Sequence, residues 1–291
     1  MPHLKTITET FMPVSLSRLV PLLTDFQKMC LKDKQEVIDE LVASHALLSL
    51  DFQKGWRFRR ARKIDNISVD HVDDLLWPPN ALASAGRANA KGQPVMYLAD
   101  RWETALREIR QEAGEVVLAE FSIQPEKICR FLPIGEMLFC NRTGSGRLMR
   151  EHGAQLNDFI NACKTEEAQA YLITDSFLHE VLTDDEAPYD LSSYLCNAIF
   201  KKYSDITVIA YPSAQQIGAL NFAVRTESFW SSWGVISVSK FYAEHLAQGF
   251  YSTKQHFNVS GIYSSGKLEW EGKQSDLRMT SLLNPVWTPL E

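Results

Sequence analysis

The chain has no run of apolar residues approaching the ~18 that a membrane-spanning helix needs, no C-x-x-C pair, no internal repeat and no low-complexity tract. The first absence excludes a helical membrane protein, and no membrane partner is expected. Five cysteines (Cys30, Cys129, Cys140, Cys163, Cys196) are scattered and odd in number. They fit reduced thiols better than a disulfide framework or a zinc site. The opening Met1-Pro2-His3-Leu4-Lys5 lacks the basic-then-apolar layout of a secretory signal, so a cytoplasmic location is expected. Positive charge is in short supply: 30 Lys and Arg against 36 Asp and Glu leave a net charge of -6. That field repels long phosphate backbones, and direct nucleic-acid binding is not expected. What remains, 291 residues with 45% hydrophobic and 23% charged, is globular composition with room for one large core or two modest ones.

Residues 1–54 read as a helical extension of two or three helices, with Leu19, Leu22, Leu23, Phe26, Val37, Leu41 and Leu47 at spacings of three and four, interrupted by Pro21 and by the polar stretch Lys32 to Glu36. A mixed core begins at about residue 55. Its clearest piece is a strand-helix-strand unit from Pro94 to Ile123. Val95 to Leu98 form the first strand, and Asp100 with Glu103 three later predicts a helix N-cap. Trp102, Ala105, Leu106 and Ile109 line an apolar face, Gly114 closes the helix, and Val116 to Ile123 is the next strand. Helices are predicted at 154–163, 167–182 and 192–203. Ile206 to Tyr211 is a buried strand stopped by Pro212, which delivers Ser213 just past a strand end, and Ala219 to Val224 is another strand. Residues 226–291 form a C-terminal extension with an aromatic helix near Phe241 to Ala247 and a hairpin around Ser264-Ser265-Gly266.

Arginine is concentrated at Arg57, Arg59, Arg60 and Arg62, then at Arg87 in a glycine-bounded loop. Guanidinium binds phosphate oxygens bidentately and keeps its charge, so the cluster suits an anion pocket; a solvated strand or helix face is the alternative. On a helical wheel of ~100° per residue Glu108 lies about 60° from Ala105, at the margin of the apolar face. A carboxylate there can be half buried and still reach a ligand. Glu112, one turn on, shares the side, so either acid could serve, and a surface glutamate is the alternative for both. Three other signals fall short. Gly144-Ser145-Gly146-Arg147 lacks a third glycine and reads as a turn before a helix; Thr183 stands where H-E-x-x-H needs its second histidine; Tyr211 and Gln215 replace the glycines of G-x-S-x-G around Ser213. No metal site is expected, and Asp184-Asp185-Glu186 reads as a solvated loop.

Taken in order, Arg60-Ala61-Arg62, Leu76-Trp77-Pro78-Pro79, Gly86-Arg87-Ala88-Asn89-Ala90-Lys91-Gly92, Met96-Tyr97-Leu98-Ala99, Thr104-Ala105-Leu106-Arg107-Glu108 and Tyr211-Pro212-Ser213 followed by Gly218 and Asn221 resemble the RES domain. That family is named for an arginine, a glutamate and a serine of its active site. The resemblance covers about residues 55–225; Ala90 and Lys91 stand where the family often has proline.

Membership implies an α+β fold similar to the ADP-ribosyltransferases, with a mixed, partly split β-sheet and flanking helices. It also implies cleavage of NAD, as substrate, between nicotinamide and ribose, often as the toxin of a toxin-antitoxin pair whose partner has helix-turn-helix character. The resemblance assigns Glu108 to the ribose and Arg60, with Arg62 as the near alternative, to the pyrophosphate together with Arg87. Tyr97 would stack on nicotinamide. Ser213 would bond the ligand or orient Glu108, and Asn89 and Asn221 are supporting amides. Transfer of ADP-ribose to a protein is the second reading, and a non-catalytic nucleotide-binding module is the third. Retention of Arg60, Arg87, Tyr97, Glu108 and Ser213 together argues against the third. A homo-oligomer is left open.

Overall fold

The computed structural model describes residues 6–64, 68–184, 188–227 and 229–272. Asp185 and Glu186 of the acidic stretch and residues 273–291 of the C-terminal extension lie outside them. Along the chain the elements are α1 (Ile7–Thr10), α2 (Leu16–Asp25), α3 (Leu31–Ser44), β1 (Leu50–Phe52), β2 (Phe58–Lys63), β3 (Val95–Ala99), α4 (Trp102–Glu108), β4 (Ala113–Ile123), β5 (Cys129–Pro133), α5 (Glu136–Thr143), α6 (Gly153–Asn161), α7 (Thr165–Thr183), α8 (Tyr189–Lys202), β6 (Ile206–Pro212), β7 (Leu220–Arg225), α9 (Phe229–Ser232), β8 (Trp233–Ala247), β9 (Phe250–Ile262) and β10 (Leu268–Trp270). The fold is α+β, with N-terminal helices, a large mixed sheet and hairpin strands toward the C-terminal end. Two compact units form, one from residues 1–50, 84–93 and 131–211, the other from 51–83, 94–130 and 212–291. No helix among the described residues is long and apolar enough to cross a membrane.

The first unit is largely helical. Pro21 does not interrupt its helix but lies inside α2. A proline there removes one backbone bond, and full burial of Leu19 holds the turn regardless. The polar stretch Lys32 to Glu36 is likewise no break. It forms the first turns of α3, where Asp33 suits the positive end of the helix dipole, and burial of Val37, Ile38, Leu41 and Val42 anchors the rest. The carbonyls at the end of α3 are capped by Lys202 Nζ, which donates to Val42 O at 2.5 Å and Ala43 O at 3.1 Å. Helix α5 has no counterpart in the sequence reading. It is bounded by Gly135 and Gly144, both left-handed, so the Gly144 turn closes one helix as well as leading toward the next.

In the second unit β7, β3, β2, β4, β8, β9 and β10 are successive antiparallel neighbours. β2 pairs with β4 from Phe58↔Phe121 to Lys63↔Val116 but meets β3 in register only at Arg59↔Ala99. The sheet is therefore parted between β2 and β3 beyond that point. α4 lies on the face where Ala61, Ala99, Val116, Leu118, Phe241 and Ala243 pack against its Ala105 and Leu106, with Trp102 and Ile109 partly buried beside them.

Two details of the strand-helix-strand unit differ from the expectation. Arg101, not Asp100, occupies the N-cap of α4, without a side-chain cap bond, and Asp100 Oδ1 instead accepts from Thr104 Oγ1 at 2.8 Å. Nor does Gly114 close the helix; it belongs to β4. The segment Phe241 to Ala247 is strand, not helix. Paired with β4 on one side and β9 on the other, it alternates buried Phe241 and Ala243 with more exposed Tyr242 and Glu244. Cross-strand pairing outweighs the local preference of Ala, Glu and Leu for helix.

Across β2, β4 and β8 on the α4 face runs a buried charge network. Glu120 is 2% exposed; its Oε1 accepts from Arg59 Nε at 2.8 Å, and its Oε2 from Ser237 Oγ at 2.9 Å and Arg57 Nη1 at 3.4 Å. Removing one member of a buried pair strands the other's charge at a cost of about 3 kcal/mol. Glu120→Ala should lose about that much stability in urea denaturation, whereas a loss under about 1 kcal/mol would mean that solvent reaches the pair.

Candidate functional site

Glu108 is the last residue of α4. The helix ends there because Arg110 adopts a left-handed conformation (φ 50°), letting Arg110 N bond Arg107 O at 2.9 Å and Gln111 N bond Leu106 O at 3.0 Å. This is a Schellman closure with a non-glycine at the strained position, which is locally unfavourable. A carboxylate in the final turn also opposes the helix dipole, at a cost of about 0.3–1 kcal/mol. Two local rules are thus broken at one place, which is where functional residues tend to lie.

What holds the carboxylate is the β6–β7 region. Ser213 Oγ and Asn221 Nδ2 each donate to Glu108 Oε1 at 2.6 Å. Both donors are fixed by burial, Ser213 at 9% and Asn221 at 6% exposure. Ser213 Oγ also accepts from Gln215 N and Gln216 N, each at 3.1 Å. One donor and two acceptor capacities of the hydroxyl are then all used by protein partners. Among the described residues nothing donates to Glu108 Oε2. Glu108 is exposed rather than half buried as its place on the wheel suggested, and its second oxygen is open to a ligand. Glu112 does not share this position. The helix has ended before it, and its carboxylate, 78% exposed, stands 3.6 Å from His245 Nδ1.

Tyr97 and Asn221 lie on the same face of the sheet, since Tyr97 pairs with Ala223 and Ala99 with Asn221. Such diagonal neighbours are about 7–8 Å apart. The arginines of β2 are divided by strand alternation. Arg59 faces Glu120, whereas Arg60 and Arg62 point to the other side and use backbone carbonyls. Arg60 Nη1 donates to Tyr97 O at 3.0 Å, into the parting between β2 and β3, and Arg62 Nη2 donates to Leu76 O. Among the described residues Arg60 Nε and Arg62 Nε are buried with no partner. Burial, with Arg62 adding like-charge repulsion, pushes the Arg60 guanidinium down to about 9, partly offset by Tyr97. Arg62 is also lowered, mainly by burial, with Asp74 opposing. An arginine in that setting favours an arriving anion.

Arg87 and Asn89 belong to the other compact unit. Arg87 Nη1 donates to Leu182 O at 2.8 Å and Asp184 O at 2.9 Å, closing the C-terminal end of α7, and its guanidinium stands 5.7 Å from the Tyr189 ring centroid. Asn89 Nδ2 donates to Ser84 O at 2.9 Å and Ala90 O at 3.0 Å, and its backbone closes a turn with Gly86. The structure thus joins Glu108, Ser213 and Asn221 directly, and Arg60 to the Tyr97 backbone. Sequence reasoning missed the Gln215 and Gln216 amides and the neighbouring Arg107, whose Nε donates to Gln215 O at 3.3 Å. A serine after Pro212 followed by a polar turn was the available signal for the two amides. Among the described residues no group of three or more His, Cys, Asp or Glu side chains could hold a metal ion.

The family model of the RES domain matches residues 56–232, more than half of the chain and the whole stretch from Arg60 to Asn221. No curated protein matches the chain.

The unpartnered nitrogen of Arg60 predicts an anion response. Inorganic pyrophosphate at about a hundred times its dissociation constant should stabilise the protein by about 2.7 kcal/mol, read as a rise in melting temperature. Arg60→Gln should abolish the rise; an equal response in that variant would move the anion elsewhere.

Proposed function

The chain belongs to the RES domain family, which is associated with NAD-acting enzymes, and from that premise we propose that it cleaves NAD between nicotinamide and ribose and passes ADP-ribose to water or phosphate. The observation that carries the reading is the Glu108 carboxylate, one oxygen held by Ser213 and Asn221 at 2.6 Å and the other left open. Breaking the glycosidic bond sends its electron pair to nicotinamide and leaves an oxocarbenium-like ribose. A carboxylate fixed beforehand stabilises that charge and accepts a ribose hydroxyl without reorganising during the step. The acceptor oxygen then bonds to the anomeric carbon and releases a proton. Nicotinamide is already a good leaving group, so positioning carries much of the rate.

Arg60 supplies charge for the diphosphate at the parting of β2 and β3, with Arg62 beside it, and Tyr97, whose side chain is on the opposite face with Asn221, offers its ring to nicotinamide across that parting. Ser213 and Asn221 orient Glu108. The domain assigned to this chemistry is 55–225, flanked by the 1–54 and 226–291 extensions. The finer part of the proposal is that the protein acts in the cytoplasm as the toxin of a pair, restrained by an antitoxin with a helix-turn-helix.

Incubation with NAD should release nicotinamide together with free ADP-ribose or its phosphate ester. Labelled protein as the main product would instead favour protein ADP-ribosylation, and no nicotinamide release would sink both. Glu108→Gln should remove turnover with the melting temperature preserved, and Ser213→Ala should lower kcat by roughly ten- to a hundredfold. Expression of the wild type alone should arrest growth while Glu108→Ala is tolerated; equal arrest by both would exclude NAD depletion as the cause.

A further inference from the structure

We infer that Arg107 is a positioning residue for this site, locking the loop that carries Ser213 onto the end of α4 and so setting the direction of the Glu108 carboxylate. The inference rests on the reading of Glu108 given above. Its basis is a closed ring of hydrogen bonds that starts and ends on adjacent helix residues. Arg107 Nε donates to Gln215 O at 3.3 Å. Gln215 N and Gln216 N donate to Ser213 Oγ at 3.1 Å each, and Ser213 Oγ donates to Glu108 Oε1 at 2.6 Å. Two attachments on one rigid helix fix both where the loop sits and how it is turned.

Ser213 N bonds Ala219 O at 2.9 Å and Ala219 N bonds Gln216 O at 3.2 Å, which shape the loop internally, while Ile217 at its tip is fully exposed. The β8–β9 turn also supports the loop, where the Gln216 side chain approaches Gly249 so closely that an added Cβ would meet it at 3.3 Å. The Arg107 side chain is itself held in place. Tyr251 of β9 lies beside it, between Trp102 and His245 with ring centroids at 6.3 and 5.2 Å. Burial raises the Tyr251 phenol, Arg107 opposes that shift and Glu112 adds to it. A basic side chain in a last helical turn can also serve only to offset the dipole, and the test separates that role from positioning.

Arg107→Met keeps the aliphatic stem and removes the donor; Arg107→Lys keeps a cation and a donor. The proposal expects Arg107→Met to lower kcat for nicotinamide release by roughly ten- to a hundredfold with KM within about a factor of two, because a misdirected carboxylate is felt in the transition state. It also expects faster amide hydrogen exchange at Gln215 and Gln216, with both effects substantially reversed in Arg107→Lys. Unchanged kcat and exchange in Arg107→Met would overturn it, as would an Arg107→Lys variant no better than Arg107→Met. Should the wild type release no nicotinamide, the NAD reading falls, and the exchange comparison alone then decides the role of Arg107.

Discussion

One carboxylate oxygen organises the second unit. Glu108 Oε1 collects two hydrogen bonds at 2.6 Å, one from the residue that follows β6 and one from β7. Through them the end of α4 is tied to a loop and to a strand that are more than a hundred residues away in sequence. The arrangement is locally costly, with an acid at the negative end of a helix dipole and Arg110 in a left-handed conformation directly afterwards. Charge-assisted bonds from buried donors offset that cost, and they work only if Ser213 and Asn221 are held rigidly.

The arginines show a second constraint, the two-residue period of a strand. Four of them within six residues looked like a single cluster, yet alternation along β2 sends them to opposite sides. Arg59, joined by Arg57 from just before the strand, neutralises the buried Glu120 and is structural. Arg60 and Arg62 face the other way, donate to the carbonyls of Tyr97 and Leu76, and keep buried nitrogens without a partner among the described residues. A sheet that is continuous between β2 and β4 and open between β2 and β3 is what makes a charged, partly desolvated place possible beside the Tyr97 backbone.

Much of this was legible beforehand. The order of short motifs from Arg60 to Asn221 pointed to the family, whose model matches residues 56–232. The strand-helix-strand unit was legible because hydrophobic periodicity is a local signal, and Ser213 past a proline-stopped strand lay where it was expected. Errors came where tertiary pairing overrode local preference. The segment Phe241 to Ala247 has helix-forming residues but two strand neighbours; α2 runs through Pro21; and a left-handed arginine, not Gly114, closes α4, which separates Glu112 from Glu108.

By itself the sequence determined the residue types and their order: an arginine-rich strand, an acid at the margin of a helix's apolar face, and a serine and an asparagine flanking a turn. It determined the chemistry those side chains can supply, because that depends on composition and short-range pattern. Only the tertiary structure decided which arginine is spent on Glu120, which glutamate is held, and that Ser213 donates to Glu108. It also placed Arg87 and Asn89 in a different compact unit from Glu108. These outcomes depend on hydrogen bonds and strand registers between residues far apart in sequence, and no local window contains both partners of such a bond.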